Sequence, residues 1–245
     1  MPPQGVCFYV VMPKFAIRAF AVFLVALLAT FAVADTFDQQ VASVLILQLK
    51  PVQRELGVTA QQRAAMNKYA DAHRAKLKTY YQEASKAGQK TVDQQKLLGF
   101  YEEMKKGVLD QLSAVQIKRL REISLQTLDF TALADTLVGT EVGLNDAQQK
   151  RVSSVVAAGI QKANAVRNKA AAADTADLRS QKPTTEKDAQ ALYVEAQKKA
   201  QAAAKRVEPE IQKLRVATKK EVMSILTPQE RAKWAQLLGK PFHPA

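Results

Sequence analysis

The chain has 245 residues, with 36 Lys and Arg against 23 Asp and Glu, a formal net charge of +13, one cysteine and two histidines. One thiol excludes an internal disulfide framework, and two imidazoles leave no ligand set for a metal centre and little room for acid–base chemistry. The expectation is a protein that is not an enzyme and that carries no cofactor and no metal.

In chain order, the first feature is a secretory signal. Lys14 and Arg18 precede the apolar run "AFAVFLVALLATFAV", which closes on Ala32-Val33-Ala34, so residues 1–34 are read as a signal peptide cleaved before Asp35. The run is short for a membrane span, and stable membrane insertion is not expected. Met12 is an alternative start, because "MPKFAIRAF" makes a compact basic leader. Cys7 lies in this segment, so the mature chain has no thiol and depends on packing for stability. Loss of Lys14 and Arg18 lowers the formal charge from +13 to +11. The positive charge is spread along helices, with no dense Lys/Arg run interleaved with aromatics, which argues against nucleic acid as partner. Acidic polymers, anionic surfaces or other proteins fit an exported basic chain better.

Glycine is sparse and Ala, Gln, Lys, Leu and Glu dominate, so the fold class is all-α. Residues 38–54 are expected to form a first helix, bent at Pro51. From 60 to 87, Met66, Tyr69, His73, Leu77, Tyr80 and Ala84 form one stripe at three- and four-residue intervals. After the turn "KAGQKT", residues 91–111 repeat the pattern with Leu97, Tyr101, Met104 and Val108, predicting an antiparallel helical hairpin. A helix at 114–127 precedes "LDFTALADTLVGTEVG", which holds one short helix. A long helix at 146–172 leads into the aperiodic "AAADTADLRSQKPTTEKD", a flexible connector. Leu192, Ala196, Ala203, Ile211, Val222 and Ile225 then mark a helix from 186 to 225, with a kink expected at Pro209. The implied organisation is two helical units, 35–130 and 131–245.

The stretch "ILTPQERAKW" ends this helix and restarts another. Thr227 can accept from the backbone N–H three residues on, Glu230 can return to the Thr227 N–H, and Pro228 suits the first helical turn. The same capping box is spelled three more times: "VTAQQ" with Thr59 and Gln62, "LSAVQ" with Ser113 and Gln116, and "LNDAQ" with Asn145 and Gln148. Basic residues follow each copy: Arg63; Lys118 and Arg119; Lys150 and Arg151; Arg231 and Lys233. Four boxes suggest two units, each opening and closing with one.

With its export signal, cysteine-free mature chain and basic helical composition, this pattern resembles the LTxxQ-motif family of periplasmic proteins, the Spy- and CpxP-like proteins. Val58 and Asn145 relax the motif, and four copies exceed those of the small members. The resemblance implies long helical hairpins, two Spy-like units in one chain, and an ATP-independent chaperone activity on unfolded clients in the periplasm. It also implies a basic and apolar concave binding face, formed either by a pseudo-dimeric monomer or by a homodimer. A structural envelope protein with one fixed partner or an acidic polymer as ligand is the alternative.

Tyr80-Tyr81 and Phe100-Tyr101 flank the first hairpin turn. Adjacent helical positions cannot both face one core, so one ring of each pair is a candidate client contact. His73, on the apolar stripe, and Trp234, one turn into the last box helix, are expected to be packing residues.

Overall fold

A computed structural model describes residues 36–88, 93–178, 181 and 183–244. The signal segment and its cleavage position lie outside the described residues. Nine α-helices and no strands occur among those described, so the fold is all-α. The chain divides into two compact units, one reaching to Arg121 and the other running from Glu122 to His243.

In the first unit the N-terminal segment is not the single bent helix expected over 38–54. It forms α1 (Thr36–Val41), a 3-10 turn (Ile46–Gln48) and α2 (Lys50–Glu55). Pro51 accounts for the start of the last piece. Its ring would collide with the carbonyl four residues earlier, whereas in a first helical turn its missing N–H costs nothing, so Leu49 turns extended (ψ 121°) and a new helix starts at Lys50. The Gln53 Nε2 then donates to the Leu47 carbonyl at 2.7 Å and ties the two pieces together. Phe37, Leu47, Val52 and Leu56 are buried. Asp38, 9 % exposed, accepts from Nε of Arg121, 4 % exposed, at 2.8 Å. Each charge is therefore matched where water cannot reach it.

Helices α3 (Ala60–Lys86) and α4 (Gln94–Leu109) pack antiparallel. Gln62 reaches the Gln111 carbonyl, Tyr69 covers Gly107, and Lys76 pairs with Glu103 at 2.7 Å. The Asp93 N–H donates to the Tyr80 hydroxyl at 2.7 Å across the turn. Of the apolar stripe, Met66, Tyr80 and Ala84 are buried and His73 and Leu77 half-buried, but Tyr69 is 45 % exposed. Helix α5 (Ala114–Leu128) follows, with Ile117 and Leu120 in the core.

The second unit holds a 3-10 turn (Asp129–Ala134), α6 (Thr136–Val142), α7 (Asp146–Asp174), α8 (Glu186–Ile225) and α9 (Pro228–Leu238). The region 128–143 thus carries a 3-10 turn as well as the one expected helix. Gly143 ends α6 at φ 98°, a left-handed cap that favours glycine. Helices α7 and α8 pack antiparallel: Gly159 faces Thr218, Asp174 pairs with Arg206 at 2.8 Å, and Asp177 lies 2.5 Å from Lys199. The connector includes a 3-10 turn at Ala176–Leu178 whose Leu178 is buried. Helix α8 runs 40 residues, about 60 Å at the usual rise, and continues through Pro209. Pro209 is exposed, so the carbonyl it leaves without a donor can turn to water. Leu133, Val142, Val152, Val222, Leu226 and Trp234 form the core at the root of this pair.

Candidate functional site

All four boxes close as reciprocal pairs. In the first, Thr59 Oγ1 accepts from the Gln62 N–H at 3.1 Å while Gln62 Oε1 accepts from the Thr59 N–H at 3.0 Å. Ser113 and Gln116 do the same at 3.3 and 2.8 Å. Asn145 and Gln148 do so at 2.9 and 3.0 Å, and Thr227 and Glu230 at 3.3 and 2.7 Å. A fifth box, Thr185 with Asp188, opens α8. It is spelled "TEKD", with aspartate where the other four have Gln or Glu.

Each of the first four boxes also meets another within its own unit. Once Gln62 Oε1 has accepted the cap N–H, its amide nitrogen is free to donate, and it reaches both Gln116 Oε1 at 2.8 Å and the Gln111 carbonyl at 2.9 Å. Gln116 answers with its own nitrogen, to Gln62 Oε1 at 3.2 Å and to the Leu56 carbonyl at 3.0 Å. The end of one helix is thereby satisfied by the residue that caps the start of another. In the second unit Gln148 Nε2 donates to Glu230 Oε2 at 2.9 Å and to the Ile225 carbonyl at 3.2 Å. Glu230, an acceptor only, cannot return a bond, and it suits the side of the pair that has nothing to donate. Nearby, Arg231 Nε donates to the Leu226 carbonyl at 3.1 Å. Of the basic residues after the boxes, Arg119 pairs with Glu55 at 2.6 Å, while Arg63, Lys118, Lys150, Arg151 and Lys233 are exposed.

The four aromatic candidates separate by position. Tyr80 is inside, 7 % exposed, with the Phe100 ring edge-on at 5.8 Å and the Lys96 ammonium 4.8 Å from its ring centre. Tyr81, tilted against it, is 49 % exposed. Phe100 and Tyr101 are half-buried; burial, with the Glu102 charge added, holds the Tyr101 phenol above its ordinary pKa. Tyr81 is thus the open ring, joined on these two helices by Tyr69 and by Leu98, 59 % exposed. On α3 Lys68 and Lys78 are exposed and have no carboxylate partner among the described residues. Lys105 is half-buried, donates to the Gln40 carbonyl at 2.6 Å, and burial lowers its pKa. Exposed side chains of this kind can bind an extended apolar chain by contact and hold acidic segments by charge.

His73 is half-buried and His243 exposed. Among the described residues no cluster of His, Cys, Asp or Glu could hold a metal ion, and no helix is long and apolar enough to cross a membrane. Comparison with family models, with curated proteins and with solved structures finds no match to this chain.

Proposed function

We propose that the chain is an exported, ATP-independent chaperone-like protein that holds unfolded or aggregation-prone proteins, in the manner of the LTxxQ-motif proteins its boxes resemble. The observation that carries the reading is the exposed surface of α3 and α4. Large apolar side chains stand in water there at Tyr69, Tyr81 and Leu98, and the exposed Lys68 and Lys78 have no carboxylate partner among the described residues. Exposed aromatic and aliphatic side chains supply non-directional attraction, and a cationic surround speeds encounter with acidic segments. Neither demands one client sequence, and neither uses nucleotide. In this reading the two units are two Spy-like hairpins in one chain, the signal directs it to the periplasm, and it catalyses no reaction.

The site is tested with Tyr81→Ser combined with Leu98→Ser, both at exposed positions that leave the core intact. Binding of a fluorescently labelled, permanently unfolded client, followed by anisotropy without nucleotide, should weaken about tenfold in the double variant. Equal binding by variant and parent would remove this face from the reading.

A further inference from the structure

In the second unit, α7, α8 and the 3-10 turn at 129–134 enclose a cleft of about 190 Å³. Its apolar lining is Phe130, Val156 and Ile211, all buried, with Ile160, 49 % exposed, at the opening. Arg167, Arg215 and Glu208 also line it. The Arg215 guanidinium lies 5.9 Å from the Phe130 ring centre and only loosely against Asp129, at 3.5 Å. Asp129, a non-glycine residue at φ 53°, is held more closely by Lys219, at 2.8 Å. Arg167 is exposed and has no carboxylate partner among the described residues. Glu208 accepts from Gln212 Nε2 at 2.7 Å. With Asp129 matched by Lys219, the opening carries two guanidinium groups against one carboxylate.

We propose that this cleft binds a small monocarboxylate bearing one branched or aromatic apolar group, a molecule the size of an N-acylated amino acid. Apolar walls with a few polar groups at the edge are the usual make-up of a ligand site. This cleft is small for such a site and admits one side chain of the size of phenylalanine or leucine, which would meet mainly Ile160, since Phe130, Val156 and Ile211 are nearly covered. Guanidinium forks match a carboxylate in shape and charge. Inorganic phosphate has no apolar group to set against Ile160, and a nucleotide is too large for the cleft. The assignment is independent of client binding on α3 and α4 and stands whether or not that reading holds.

The probe is N-acetyl-4-fluorophenylalanine, titrated into the purified chain and followed by ¹⁹F NMR. A ligand of this size in a shallow cleft should saturate with a dissociation constant of about 1 mM. Its carboxamide analogue should bind more weakly, and acetate should not compete. Arg167→Gln should weaken binding roughly two- to fivefold, and Glu208→Gln should tighten it by a similar factor, as expected for charges at an exposed edge. Ile160→Asp should abolish it. An increase in affinity cannot come from damage to the fold, so Glu208→Gln separates recognition from structural loss. Absence of saturation, equal binding of acid and amide, or affinities unmoved in Arg167→Gln and Glu208→Gln would overturn the proposal.

Discussion

A capping box needs only an acceptor at its third position, and either Glu or Gln supplies one. Facing another box adds a second requirement: at least one partner must also donate. Gln62 and Gln116 each do both jobs, whereas Gln148 donates and Glu230 receives. Gln62→Glu should therefore keep its own box and the bond it accepts from Gln116 while losing the two it donates, to the Gln111 carbonyl and to Gln116 Oε1, at a cost of about 1–3 kcal/mol. Glu230→Gln should shift stability by less than about 0.5 kcal/mol, since an amide oxygen can take the same two bonds. Thr227→Ala loses the hydroxyl that accepts from Glu230 and should cost roughly 0.5–2 kcal/mol. Urea denaturation midpoints at constant m-value read all three. Equal costs for Gln62→Glu and Glu230→Gln would show that the meeting of boxes contributes nothing. Asp38→Ala leaves a buried guanidinium without its carboxylate and should cost about 3–5 kcal/mol by the same measurement.

At the scale of elements, the antiparallel pair α7–α8 comes close because one position has no side chain. A Cβ at Gly159 would lie 2.6 Å from Thr218 Oγ1. Gly159→Ala should accordingly destabilise by about 1–3 kcal/mol despite its better helix propensity. Adding Thr218→Ala, which removes the two nearest atoms, should recover most of that loss. A double-variant cycle on denaturation midpoints with no coupling would contradict the close approach. The long helices were legible in the sequence because their stripes persist over many turns, and the starts of α3 and α7 are spelled by Thr59 and Asn145. The N-terminal segment was not legible as three pieces. Its run of Val, Leu and Ile has no clear period, and a proline is compatible with either a bend or a new helix start. The boxes could be read as local caps, but their meeting could not, since the partner of Gln62 lies 54 residues away and nothing at either position names the other. The aromatic pairs were legible only as pairs. That Tyr80 turns inward and Tyr81 outward depends on Phe100 and the Asp93 N–H, which the hairpin turn brings together. The box at Thr185 was overlooked because aspartate, one methylene shorter, was not weighed as the returning acceptor.

At the scale of the whole molecule, 36 basic residues against 23 acidic ones leave the chain with a net positive charge, and both units contain long helices with capped starts. Client capture should therefore have a fast component driven by charge and a lasting component driven by apolar contact. At 1 M salt the screening length falls to about 3 Å, so association with an acidic client should slow markedly and dissociation change little. Stopped-flow anisotropy at low and high salt separates the two, and a salt-insensitive association rate would remove the role given to the lysines. The most direct test of the account is aggregation of two unrelated denatured clients, one acidic and one near neutral, followed by light scattering with stoichiometric protein, with and without ATP. The account predicts that scattering is suppressed for both clients and that ATP makes no difference. Unchanged scattering for both would contradict it and leave a protein with one fixed partner, while protection that appears only with ATP would contradict both readings.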